Sequence, residues 1–170
     1  MNTSEIQQAI EEVEQYLSNN SDPGPRPDVP ATATIEDGLK CRIEAPDGSA
    51  IYTDMPTSVG GYASASSPGW HLRAALASCD ATLLAMRAAR LGLQLDSIQV
   101  RVEASSDGRG MFLDEGVSPG SEEMRLYFKI SASTVPRAQI EALVHWVEQH
   151  SPVGADITRA LDAPSELETT

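Results

Sequence analysis

One stretch, SPGWHLRAALASCDATLLAMRAARLG (67–92), constrains this chain more than any other. Ser67 is a natural N-cap, Pro68 fits the first helical position, and Gly92 supplies a left-handed stop after Leu91. The spacing predicts a helix of roughly 24 residues, about 36 Å long at 1.5 Å per residue. Between Ala74 and Ala89 its only charges are Asp80 and Arg87. A helix apolar on nearly every side is expected to be buried, so other elements must wrap it. Aromatic residues make up only 5% of the chain, so the interior around this helix has to come from Ala, Leu, Ile and Val.

The flanking segments supply the wrapping. Residues 31–36 and 39–45 read as strands, with Leu39, Cys41 and Ile43 facing one way and Lys40, Arg42 and Glu44 the other. Pro46-Asp47-Gly48-Ser49 is a turn, 50–54 returns as the second arm of a hairpin, and 55–67 is a Gly/Ser loop. After the helix, Ile98, Val100 and Val102 share one face of a strand at 97–103. Met124, Leu126, Phe128 and Ile130 share one face of another at 122–132. Pro136 starts a helix over 136–149, and Ser151-Pro152 opens a short third one toward Leu161, followed by a terminal strand. Strands, buried helix, strands and helices make an α+β domain. Ahead of it, residues 1–17 form an amphipathic helix with Ile6, Ile10, Val13 and Leu17 at helical spacing. Ser4 and Gln7 sit there as in a capping box. A linker at 18–30 holds the prolines 23, 25, 27 and 30. The domain proper is 31–170.

Twelve Lys and Arg stand against 25 Asp and Glu, a formal charge of −13. Such a field repels phosphate backbones and anionic lipid, which excludes nucleic acid and membrane as partners. No apolar run approaches the roughly 20 residues that span a bilayer, and the first residues carry no secretory signal. Two cysteines cannot make a disulfide scaffold, so a reducing, bacterial-type cytoplasm is the expected compartment.

Cys79 lies on the long helix with Leu72, Ala75, Leu76, Thr82, Leu83 and Met86 within about 60° of it. On its neighbours alone it is a small core hydrophobe, and the adjacent Asp80 would raise a thiol pKa. Cys41 reads as a buried strand cysteine that a helix packed on that face could bring toward Cys79. His145 and His150 diverge by about 140° and His71 is remote, so no metal site is expected and no cofactor is implied. SDGRG (106–110) is a turn rather than a phosphate loop.

The run SPGWHLRAALASCDATLLAMRAARLGL, the following LDSIQVRVEASSDGRG and the later HSPVGADITRAL together resemble the OsmC/Ohr superfamily, the osmotically induced and organic hydroperoxide resistance proteins. The resemblance covers roughly residues 31–165. It implies an intertwined homodimer, with antiparallel sheets wrapped around long central helices. It also implies a nucleophilic cysteine at Cys79, which attacks a hydroperoxide and becomes a sulfenic acid. The family's resolving cysteine falls at Ser151 and its glutamate at Gly69, so this is an atypical member. The segment matching the family's arginine loop is acidic, Glu36-Asp37-Gly38, and the nearest cation is Arg42. The implied activity is thiol-dependent reduction of organic hydroperoxides in oxidative-stress defence, with an external thiol resolving Cys79. The alternative is a non-catalytic dimer whose cleft holds a small apolar ligand. Arg73, Asp80 and Arg87, seven residues apart, form a solvated edge in a monomer; in a dimer they imply a buried pair of Asp80 with an arginine that sets helix register.

Overall fold

A computed structural model describes residues 3–20, 24–113, 116–159 and 163–169. The order is α1 (Thr3–Asn19), β1 (Thr32–Asp37), β2 (Lys40–Glu44), β3 (Ala50–Thr53), α2 (Pro68–Arg90), β4 (Ser97–Ser106), α3 (Arg109–Phe112), β5 (Ser121–Ser131), α4 (Arg137–His150) and α5 (Pro152–Thr158). The fold is α+β, with a three-stranded sheet ordered β1-β2-β3 and a two-stranded sheet of β4 and β5, both antiparallel. Two compact units divide the chain: Glu12–Ala74 forms one and the remainder the other.

In the unit Glu12–Ala74, Cys41 pairs across the sheet with Ile35 and Thr53. Its expected in-and-out alternation is not matched by burial, since all five residues of β2 are half-buried. Arg42 is ion-paired to Glu44 on its own strand. The loop expected to be loose is instead tied to Asp54, only 1% exposed. The Asp54 carboxylate accepts from the amides of Met55 (2.7 Å), Tyr62 (3.2 Å) and Ser64 (3.0 Å), and from the Ser64 hydroxyl (2.8 Å). These bonds, the Ser64 amide foremost, hold its carboxyl below the ordinary 3.8. Among the described residues of this unit only Thr53, Asp54 and Gly61 are buried, and none is a large apolar residue.

The other unit contains the buried core. Helix α2 starts in the unit Glu12–Ala74, where, as predicted, the Ser67 hydroxyl accepts the Trp70 amide (3.3 Å). Gly92, at φ +67°, ends the helix: the Leu93 amide donates to Ala88 (2.9 Å) and the Gly92 amide to Ala89 (3.0 Å). Burial runs down one row of α2 at every fourth residue, Leu76, Asp80, Leu84 and Ala88, with Ala89 beside it. Leu143 and Val147 of α4 complete the interior. Many of the other residues of α2 are half-buried, while Leu72 is 48% and Met86 39% exposed. β4 and β5 alternate as expected, Val102 opposite Leu126 and Val100 opposite Phe128, all four half-buried.

Other expectations fail locally. Residues 163–169 form no strand, and the connection after β4 holds one helical turn, α3. Helix α1 begins at Thr3, one residue ahead of the expected Ser4 cap, and the Gln7 side-chain amide donates to Glu11 one turn on. No helix among the described residues is long and apolar enough to cross a membrane.

Candidate functional site

One residue, Ser151, joins α4 to α5. Its amide donates to Val147 as the last bond of α4 (2.9 Å), while its hydroxyl oxygen accepts the Gly154 amide as the N-cap of α5 (3.0 Å). Pro152 follows at the first helical position, where no amide is needed. Gly154 leaves the cap room, since a Cβ there would come within 3.0 Å of both Cβ and Oγ of Ser151.

This joint abuts α2. The Ser151 hydroxyl, 4% exposed, donates to the Cys79 sulfur at 3.7 Å, a contact between residues 72 apart in sequence. Cys79 and Cys41 are both free thiols, each half-buried. Gly69, in the first turn of α2, is exposed and has open space beside it; the nearest atom to a Cβ there would be the Arg73 guanidinium, 3.8 Å away.

Asp80 is 1% exposed, and its Oδ1 has no hydrogen-bond partner among the described residues. Within the single chain Arg87 lies over the Trp146 ring at 4.6 Å, and no salt bridge of the described residues includes Asp80; the arginine pairing is an expectation for the dimer. Burial pushes the Asp80 carboxyl above its ordinary 3.8; the Ser151 hydroxyl pulls it back and the Glu148 charge adds to the rise. The Ser151 hydroxyl thus donates to the Cys79 sulfur in the neighbourhood of the Asp80 carboxyl.

A cavity of about 510 Å³ opens beside this cluster. Asp80, Ser151 and Glu148 give it a polar side; Leu76, Leu126 and Ile157 give it an apolar one. The chemistry available is a thiol that accepts from a neutral donor, one residue along α2 from a carboxyl whose pKa burial raises and which lines a partly apolar pocket. The histidines lie apart from it. His150 stacks on Trp146 (4.1 Å), His145 lies 3.7 Å from Glu148, and His71 meets the Tyr52 carbonyl at 3.2 Å. Among the described residues no trio of His, Cys, Asp or Glu is arranged to hold a metal.

Residues 61–163 match the family model described as OsmC-like protein. An OsmC-like protein from Mycoplasma pneumoniae superposes with a TM-score of 0.67 at 16% identity, covering 79% of this chain and 89% of that one. An organic hydroperoxide resistance protein from Legionella pneumophila gives 0.59 at 19%, covering 79% and 91%. One from Elizabethkingia anophelis, with thiocyanate bound, gives 0.60 at 18%, covering 79% and 90%. No curated protein matches the chain in sequence.

Proposed function

The chain belongs to the family of OsmC-like proteins, and from that membership we propose that it reduces organic hydroperoxides with Cys79 as its single reacting thiol. The supporting observation is the 3.7 Å contact between the Cys79 sulfur and Ser151, the residue in the family's resolving-cysteine position. The two positions meet as that chemistry requires, but the second one carries a hydroxyl.

In this reading the Cys79 thiolate gives an electron pair to the distal oxygen of ROOH. The O–O bond breaks, RO⁻ takes a proton and leaves as ROH, and sulfur becomes S–OH. With no second thiol at 151, an external thiol condenses with the sulfenic acid, releasing water. A second equivalent then returns Cys79 to the thiol and leaves as the external disulfide. Such a cycle belongs in a reducing cytoplasm. Ser151 donates to sulfur in both the thiolate and sulfenate states, and Leu76 and Leu126 favour an apolar R group. The apolar sides of α2 left open around Leu72 and Met86 are covered by a second copy of the chain in the homodimer we infer.

The adjacent cavity, with no cation on it, favours a second reading in which the dimer binds a small ligand and Cys79 only packs. The two separate cleanly. Incubated with cumene hydroperoxide and dithiothreitol, the wild-type chain should consume peroxide and Cys79→Ser should not. Equal consumption by the two chains refutes this nucleophile, and none by either leaves the binding reading.

A further inference from the structure

We propose that the cavity beside Asp80 binds a small organic ammonium ion, its charged head on Asp80 and Glu148 and its apolar tail along Leu76, Leu126 and Ile157. The inference is independent of thiol chemistry.

It begins from an anomaly of placement. Leu76, Leu84 and Ala88 are ordinary interior residues, and Asp80 occupies the same buried row one turn from Leu76. A carboxylate withdrawn from water needs a cation or a set of donors to hold its charge. Oδ1 of Asp80 has no donor among the described residues.

No arginine of the described residues lines the cavity. On α2, Arg87 covers Trp146 and Arg90 pairs with Glu11; on β5, Arg125 pairs with Glu123. Arg137, at the start of α4, pairs with Glu141, and Arg159, just past α5, with Asp156. Lys129 lies on the face of β5 opposite Met124 and Leu126. Among the described residues, the other charged group lining the cavity is Glu148, a second carboxylate, whose described partner is His145 at 3.7 Å.

A cavity of about 510 Å³ with two carboxylates, no cation and one apolar wall selects against anions and leaves a neutral guest with Oδ1 still poorly paired. A primary ammonium brings three donors and a positive charge to the acidic side of the cavity formed by Asp80 and Glu148, and an alkyl tail takes the apolar wall out of water. The chain's formal charge of −13 further concentrates cations near it.

The test is calorimetric titration of the full chain with hexylammonium chloride, with 1-hexanol and sodium hexanoate as length-matched neutral and anionic probes. Hexylammonium should bind about tenfold or more tightly than hexanol, and hexanoate weakest. Asp80→Asn should erase the preference for the amine while keeping hexanol binding. Equal affinity for amine and alcohol, or unchanged amine binding in Asp80→Asn, overturns the proposal. Should Asp80→Asn fail to fold, Ile157→Trp decides: it fills the cavity from a partly exposed position with both acids intact. Loss of hexylammonium binding there supports the site, and retention refutes it.

Discussion

Asp80 couples a local irregularity to the stability of the whole chain. Its folded carboxyl titrates above the unfolded 3.8, so the fold favours the protonated form. Stability from this group is fully present below 3.8 and is lost as pH rises through the higher folded value. Glu148 is the other charged group on the cavity and pushes in the same direction. Asp80→Asn imitates the protonated carboxyl without the titration. In thermal melts without added amine, the variant should match wild type in acid and melt progressively higher than it toward neutrality. A wild type that melts higher than the variant near neutral pH would mean that the carboxylate has a partner in the folded protein. The residue's position in the sequence was legible, but its surroundings were not. Arg73, Asp80 and Arg87 repeat at seven and suggest one polar stripe, whereas packing follows the four-residue row 76, 80, 84, 88. Helical periodicity places 80 on both rows, and only the docking of the α4–α5 joint decides which one it serves.

Elements were legible where one face of the pattern meets an interior. The period-two runs of β4 and β5 are paired and half-buried as their sequences indicate, and the Ser67 and Gly92 signals bound α2 correctly. Legibility failed where backbone groups are satisfied by a distant side chain. Nothing in residues 55–67 distinguishes a slack Gly/Ser loop from one gathered around Asp54, because the acceptor precedes it and the donors are three main-chain amides and one serine hydroxyl. Gly61 is the tightest point of that gathering. A Cβ there would lie 1.9 Å from the Met55 carbonyl oxygen and 2.9 Å from the Asp54 carboxylate. Gly61→Ala should therefore destabilise the chain by on the order of 2 kcal/mol or more, although alanine is ordinarily tolerated in loops. Urea unfolding checks this, and a change within a few tenths of a kcal/mol would mean the loop is as slack as its composition suggests. The Ser151–Cys79 contact belongs here too: the resemblance placed the two positions together, whereas their separation by 72 residues hid the contact from any local pattern.

At the scale of the molecule, the feature with the widest reach is the sheet β1-β2-β3, whose unit buries no large apolar residue. Ile35 is 61%, Ile51 52% and Tyr52 41% exposed, and Val13, Tyr16 and Leu17 of α1 are about as open. A sheet with so little interior gains little from folding by itself, because ordering its backbone costs more than its own burial returns. If another copy of the chain supplies the missing cover, folding becomes a bimolecular event governed by mass action. Its melting temperature will then climb with every tenfold rise in protein concentration and sink on dilution, where a self-sufficient chain would melt at one temperature throughout.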